Sequence, residues 1–527
     1  MSLSPARASL ALALLTILAG CASLPPRPPD DEIRPLLHAR GGPALPVPDA
    51  ADPVPAWLAE PLTLERAVQI ALLRSPQLQL TYAELGLERA EVLEAVQVDN
   101  PAFSIGRERL SPGDGTVRLA GLSLPLGELI AAPLKVRLAE GEYERARLRL
   151  AQAVLDLALD IEAAWYRAAA AEQVAGMREA VSEGAQASAE LAGRFHAAGN
   201  ISQLQLRQEQ AFASEARIAA ARARAEAVRE RLALNTLLGL NGADARWAAA
   251  EGLRLPVSAE DDVDALVRLA RRDNLQLQAA RLRADTRLKA AGITRGLWWL
   301  RGAEFEFSRE REPDGSRKQG PGLAVELPLF NQGQAERARA QALLDEARAR
   351  LAMAELAVVE GVRARAQAVA ELRDVVALHR DALVPQREDI VARQQERQNF
   401  MLIGVFELVQ AKLAEYDAYQ GYIEALRDYW LARVELSRVV GQRLPSADAP
   451  GETAPTLEQI LGPQTGGHQG HGMPETAAEA GTEEAGPEQD EDQHKHHHHQ
   501  GSAAVKAAGE AEDKDQHNHH HHQGDQP

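Results

Sequence analysis

The chain has 527 residues, 45% of them hydrophobic, so it can bury a sizeable core, yet only 4% are aromatic. Heavy use of Ala, Arg, Glu and Leu points instead to long helices. The formal charge of −18 sits mainly in the tail: Ser446 to Pro527 carries 16 acids and 3 lysines, against 60 acids and 55 bases in the other 445 residues. No basic face accumulates, which argues against a nucleic-acid partner, and a single cysteine excludes an intrachain disulfide.

Residues 1–20 have the form of a secretory signal, with Arg7 as the positive region and Leu10 to Leu18 as a short apolar run. The run closes on Leu18-Ala19-Gly20-Cys21, which resembles the bacterial lipoprotein box and implies cleavage before Cys21 and lipid attachment there. The alternative is an ordinary signal with an incidental cysteine. Ala22-Ser23, with no Asp after the Cys, resembles lipoproteins forwarded to the outer membrane. No other apolar stretch approaches 18 residues, so no transmembrane helix is expected in the mature chain.

Residues 21–61 form a proline-dense segment (Pro25, Pro28, Pro35, Pro46, Pro55 among others), expected to be an extended, polyproline-like strap. Thr63 is expected to cap a helix through Arg74, and Ser75-Pro76 to restart a second one to about Val98. Ala102–Arg107 and Thr116–Leu124 read as short strands around the turn-rich Ser111–Gly115. A helix follows from about Pro133 to Phe195, roughly 90 Å long, with Leu150, Val154, Leu157, Ile161 and Ala164 as its stripe. His196 to Asn200 breaks it, and a return helix runs to Leu238-Gly239.

The pattern then recurs. Residues 62–242 form a first repeat, 243–260 an irregular connector, and 261–445 a second repeat. Leu78 is matched to Leu275, Leu124-Pro125-Leu126 to Leu327-Pro328-Leu329, Gln208 to Gln410, and Gly239 to Gly441, at offsets of 197 to 203. In the second repeat Asp261 or Asp262 caps a helix through Arg272. Strands are expected at Arg301–Arg309 and Gln319–Leu327 around Pro313–Ser316, and a long helical pattern runs from Asn331 to Gln398. From Phe406 large residues fall at Val409, Leu413, Tyr416, Gln420, Ile423, Arg427, Trp430 and Val434, the 3.5-residue period of a coiled-coil seam. The intervening Phe400 to Phe406 stretch, with Gly404 inside it, reads as a hydrophobic hairpin tip.

The strands carry one apolar and one charged face: Ala303, Phe305 and Phe307 alternate with Glu304, Glu306 and Ser308. Two readings fit. One is a soluble β-layer on helices; the other is part of a closed membrane barrel built from several chains, with Trp298-Trp299 in an aromatic belt.

The order helix, strand pair, long helical hairpin, all of it twice, resembles the TolC-type outer-membrane efflux family. So do Leu62-Thr63-Leu64-Glu65-Arg66-Ala67-Val68-Gln69-Ile70-Ala71-Leu72 with Ser75-Pro76, and the stretch from Gly404 to Ala411. The likeness covers roughly Leu62 to Gly441. It implies a mainly α fold with a membrane β-barrel: a homotrimer whose four strands per chain form a twelve-stranded barrel, with the helices forming a tunnel across the periplasm. Combined with Cys21, it resembles the lipoprotein branch serving resistance–nodulation–division pumps of the inner membrane, reached through a periplasmic adaptor.

No catalytic constellation is present, so no enzyme activity and no required cofactor are expected. By the resemblance, Glu407 takes the first acidic position of a periplasmic gate and Gln410 stands at the second; the plain alternative is a solvated flank of a coiled coil. The tips at Gly199, Asn200, Leu402, Ile403 and Gly404 are either adaptor-docking surfaces or simple turns. Residues 446–527 form a low-complexity acidic tail containing twelve of the fifteen histidines: His468, His471, His494, His496, His497, His498, His499, His517, His519, His520, His521 and His522. Imidazoles beside carboxylates suit copper, zinc or nickel, and they point to heavy-metal cargo, with a tag or a merely soluble tail as the alternative. The other functions that fit are a periplasmic metal-buffering lipoprotein with a coiled-coil scaffold and the same channel exporting drugs or polypeptides.

Overall fold

Thr63 is extended and its hydroxyl accepts from Arg66 N at 3.3 Å, which starts the first body helix where the sequence placed it. The computed structural model describes residues 29–46, 52–97, 100–109, 115–249, 252–297, 303–325, 329–330, 332–448 and 453–461. The expected signal peptide, Cys21, Trp298-Trp299, Leu327-Pro328 and the tail histidines from His468 to His522 lie outside these residues.

Helices α1 (Pro29–His38) and α2 (Val54–Leu58) precede α3 (Leu64–Arg74) and α4 (Pro76–Val96). Strands β1 (Ala102–Arg109) and β2 (Thr116–Leu124) lead into α5 (Leu126–Ala197) and the return helix α6 (Gln203–Leu238). The second repeat gives α7 (Val263–Asp273), α8 (Leu275–Leu297), β3 (Glu304–Arg311), β4 (Arg317–Ala324), α9 (Gln334–Leu378), α10 (Val384–Asn399) and α11 (Val405–Val440). A short α12 (Leu457–Leu461) follows. The four strands form one antiparallel sheet in the order β1-β2-β3-β4.

The duplication extends to single caps. Ser75 and Asn274 close α3 and α7 with nearly the same backbone angles, φ −66° and ψ 118° against φ −62° and ψ 117°. Gly239 and Gly441 end the two 36-residue return helices at φ +69° and +81°. A Cβ on Gly239 would lie 2.5 Å from Arg74 O, and one on Gly441 2.6 Å from Asn274 Cα, so each glycine lets a return helix end against its own repeat's first break. These anchors pair Pro76 with Leu275, so the match of Leu78 to Leu275 is two residues out of step.

Other expectations need correction. The strap is not extended throughout, because α1 and α2 fold within it and bury Ile33, Leu37 and Val54. Pro29 and Pro55 stand at helix starts, where a fixed φ and a missing N–H cost nothing, whereas Pro35 lies inside α1. Helix α5 begins at Leu126, seven residues before Pro133, and its 72 residues span about 110 Å. The second hairpin strands lie at 304–311 and 317–324 rather than 301–309 and 319–327, because pairing grows outward from the turn. There Arg311 faces Arg317, Gly315 takes φ +89°, and Asp314 Oδ1 accepts from Ser316 N at 2.8 Å. The rod expected over Asn331–Gln398 carries a π turn at His379–Leu383, closed by Val384 N on His379 O. Pro385, two residues on, has no N–H for the carbonyl of Asp381, and the wider turn absorbs that defect.

The α5 stripe from Leu150 to Ala164 is buried as expected. In α11 the most enclosed row is Glu415, Tyr422, Leu426, Tyr429, Arg433 and Val440, about one position round from the expected seam. Ile423, Trp430 and Val434 are buried as well, because the helix is enclosed on a broad face rather than a narrow one. Trp430 stacks on Tyr166 (centroids 5.2 Å apart), and Trp165 stacks on Trp247 (5.7 Å), so the core concentrates where both repeats meet.

Candidate functional site

The two long hairpins end in matching turns. After α5, Gly199 at φ +76° donates its N–H to His196 O at 2.9 Å, and Asn200 N donates to Phe195 O at 2.8 Å, a left-handed helix stop. After α10 the same bonds recur 202 residues on: Met401 N to Gln398 O at 2.8 Å and Leu402 N to Arg397 O at 2.9 Å. Met401 stands where Gly199 stood, at φ +56°, alone among the described non-glycine residues in having positive φ. A side chain there costs about 1–2 kcal/mol. That of Met401 is 92% exposed, so no packing offsets the strain.

The tips are joined. Phe195 and Phe406 meet edge to face with centroids 6.1 Å apart, which holds the end of α5 against the start of α11. Around that contact Phe400 and Leu402 are exposed and Ile403 is half-buried. The Phe195–Phe406 contact sets the tip with Gly199 and Asn200 and the tip with Leu402, Ile403 and Gly404 at the same end of the α5–α11 packing. The 202-residue offset aligns Met401 with Gly199 and so puts a side chain in a glycine's place, the one signal in the sequence that marks it. Met401→Gly is expected to raise stability by about 1 kcal/mol in thermal unfolding while weakening any partner contact made at this tip.

Glu407 and Gln410 lie in the first two turns of α11, both exposed and three residues apart, hence on one face. Their counterparts in the first repeat are Gln205 and Gln208. Gln205 is used locally: its Oε1 accepts from Ser202 N at 3.1 Å while Ser202 Oγ accepts from Gln205 N at 3.2 Å, a capping box. Gly404 has no side chain to complete such a box with Glu407. The exposed Glu407 carboxylate is thus set at the positive end of α11 without a local cap.

Near the other end of α11 lies a cavity of about 390 Å³ lined by Glu162, Tyr166, Arg254, Trp430 and Arg433. Burial pushes the Glu162 carboxyl above the ordinary carboxylate range, against the pull of Arg443 and a hydrogen bond from Tyr166. Among the described residues no three His, Cys, Asp or Glu gather to hold a metal. None of the described helices is long and apolar enough to cross a membrane.

Duplicated helical hairpins on a four-stranded sheet define the fold of bacterial outer-membrane channels, the TolC-type fold expected from the sequence. A membrane protein from Pseudomonas aeruginosa superposes with a TM-score of 0.61 at 20% identity, covering 76% of this chain and 96% of that one. The Neisseria gonorrhoeae MtrE outer membrane channel in its open state gives 0.58 at 15% identity, covering 72% and 89%. In sequence, Protein CyaE of Bordetella pertussis is 28% identical over 447 residues, 79% of this chain and 92% of the relative. No family model matches. Several of the structural neighbours, MtrE among them, are outer-membrane channels.

Proposed function

We propose that the chain is one third of a trimeric outer-membrane channel, anchored by lipid on Cys21, that serves a tripartite efflux system. The observation that carries this reading is the sheet. Among the described residues β1 and β4 each pair with one neighbour only, and Phe103, Ile105 and Leu323 are 67%, 78% and 66% exposed. A sheet with open edges and an uncovered apolar face is a liability in water. Pairing β4 of one copy with β1 of the next closes a twelve-stranded barrel whose apolar face meets lipid. The helices then form a periplasmic tunnel, and the tips dock a periplasmic adaptor that leads to a resistance–nodulation–division pump.

On this reading three Glu407 side chains ring a narrow axis with Gln410 one turn on, a gate sensitive to cations. Glu407→Ala is expected to raise single-channel conductance in planar bilayers and weaken cation block. Heat-resistant trimers in the outer-membrane fraction support the channel, soluble monomers released by mild washing overturn it, and unchanged conductance removes the gate.

We assign the cargo to copper, silver, zinc or a related ion on the strength of the tail histidines. Deleting residues 466–527 is expected to lower metal tolerance with drug tolerance unchanged. Intact metal tolerance would transfer the cargo to drugs or polypeptides.

A further inference from the structure

The apolar face of the sheet ends in arginine. Arg107 pairs with Arg118, Arg118 with Arg311, and Arg311 with Arg317, so four guanidinium side chains stand in one row across four strands. Residues paired directly across strands share a face, as do residues two apart along a strand. Arg109 and Arg309 therefore join the same face, the latter between Ala120 and Gln319. It is also the face of Phe103, Leu122, Phe307 and Pro321, which form the apolar row two steps away. All six arginines are exposed, and none makes an ion pair among the described residues.

The acids of these strands fall on the opposite face: Glu108 faces Val117, Glu306 faces Ser123 and Gly322, and Glu310 faces Leu119 and Lys318. The row is thus not neutralised from within its own sheet. Like charges directly opposite one another repel, and strands about 4.8 Å apart leave these little room to part. A partner that offsets the repulsion must be anionic, match the planar guanidinium fork, and approach from a surface continuous with exposed aromatic and aliphatic side chains. A phosphate group at the head of an acyl lipid meets all three conditions.

We propose that this row is a binding girdle for phosphate-bearing lipid headgroups in the leaflet next to the strand ends at Arg109, Thr116, Arg311 and Arg317. The inference rests on the barrel reading, since it needs the apolar face to meet lipid. It assigns the two arginine-ended strand sequences, Phe103-Ser104-Ile105-Gly106-Arg107-Glu108-Arg109 and Phe305-Glu306-Phe307-Ser308-Arg309-Glu310-Arg311, the same division of labour. On the lipid side each has two apolar residues followed by two arginines, with the acids kept to the lumen.

The test uses the full chain purified in detergent, with oligomeric state scored separately by cross-linking. It is mixed with phosphatidylcholine alone, phosphatidylcholine plus phosphatidic acid, or phosphatidylcholine plus inorganic phosphate. Native mass spectrometry is expected to show roughly tenfold enrichment of phosphatidic acid over phosphatidylcholine on the wild-type trimer, with a higher trimer melting temperature. Inorganic phosphate is expected to give neither effect. The combined R107Q/R118Q/R311Q/R317Q variant is expected to lose the enrichment, and the corresponding lysine variant to keep part of it.

A wild-type trimer that retains both lipids equally overturns the girdle, and this arm needs no variant to fold. Retained enrichment in the glutamine variant, or an equal shift with inorganic phosphate, overturns it as well. A chain that is never trimeric overturns the channel and the girdle together, whereas a trimer indifferent to phosphatidic acid removes the girdle alone.

Discussion

Replacing Glu260 by alanine is expected to cost about 3–5 kcal/mol of stability, the usual penalty for stranding a buried charge. The charge is that of Arg433, whose side chain is 3% exposed and ion-paired with Glu260. Among the described residues Arg433 otherwise has Ser446 Oγ at 2.8 Å, the ring faces of Tyr429 and Trp430, and the pull of Glu162, whose own carboxyl burial biases toward the neutral form, so these soften but do not neutralise it. The same carboxylate accepts from Tyr429 OH at 2.6 Å, and Val257 N donates to that hydroxyl at 3.2 Å. Glu260 therefore ties the connector between the repeats to the most buried turn of α11. Urea unfolding should rank wild type above Glu260→Gln, and Glu260→Gln above Glu260→Ala. Adding Arg433→Met to Glu260→Ala is expected to recover most of the loss, because removing both charges also removes the desolvation cost. A Glu260→Ala loss below about 0.5 kcal/mol, the range of ordinary surface changes, would show that Arg433 is satisfied without its carboxylate.

Much of this architecture was legible because it is written in short-range chemistry. Thr63, Asp262, Gly239 and Gly441 are cap residues whose effect needs no tertiary context, and they bounded their helices within a residue or two. The strand at Thr116–Leu124 was placed to the residue because alternation and flanking turns agree there. What was not legible depends on distant partners. Arg433 and Glu415 look like solvated charges in a helix pattern, yet both are buried, since burial is set by neighbouring helices and the connector. Proline marks helix starts and extended chain alike, so the composition of the strap does not separate the two. Only docking of Ile33 and Leu37 into the core distinguishes them. At the tips, the turn was visible in Gly199 and Gly404, but the strained Met401 was hidden, since nothing local tells a methionine that it must adopt a left-handed backbone. The arginine row is a cross-strand feature and emerges only once the register pairs Arg118 with both Arg107 and Arg311.

Leu402→Asp and Ile403→Asp are expected to abolish efflux-dependent resistance while leaving trimer yield unchanged. Leu402 is 68% exposed at the end of a hairpin, so a carboxylate there meets water in the free chain and stability should move by no more than about 0.5 kcal/mol. In a docked complex the same carboxylate would be taken out of water without a partner, at a cost of about 2 kcal/mol or more, which lowers binding at least roughly thirtyfold. Exposure alone does not predict this pattern, because the rods carry exposed leucines too. Leu232 in α6 and Leu356 in α9 are 59% and 67% exposed, far along the chain from either tip. In the proposed trimer such side chains are covered by a neighbouring copy, so Leu356→Asp is expected to lower trimer yield itself. The two substitutions separate assembly from docking: one acts before the channel exists, the other after. Resistance that survives Leu402→Asp would make the tip a plain turn, and trimer yield indifferent to Leu356→Asp would leave the flank of α9 facing solvent in the assembled protein.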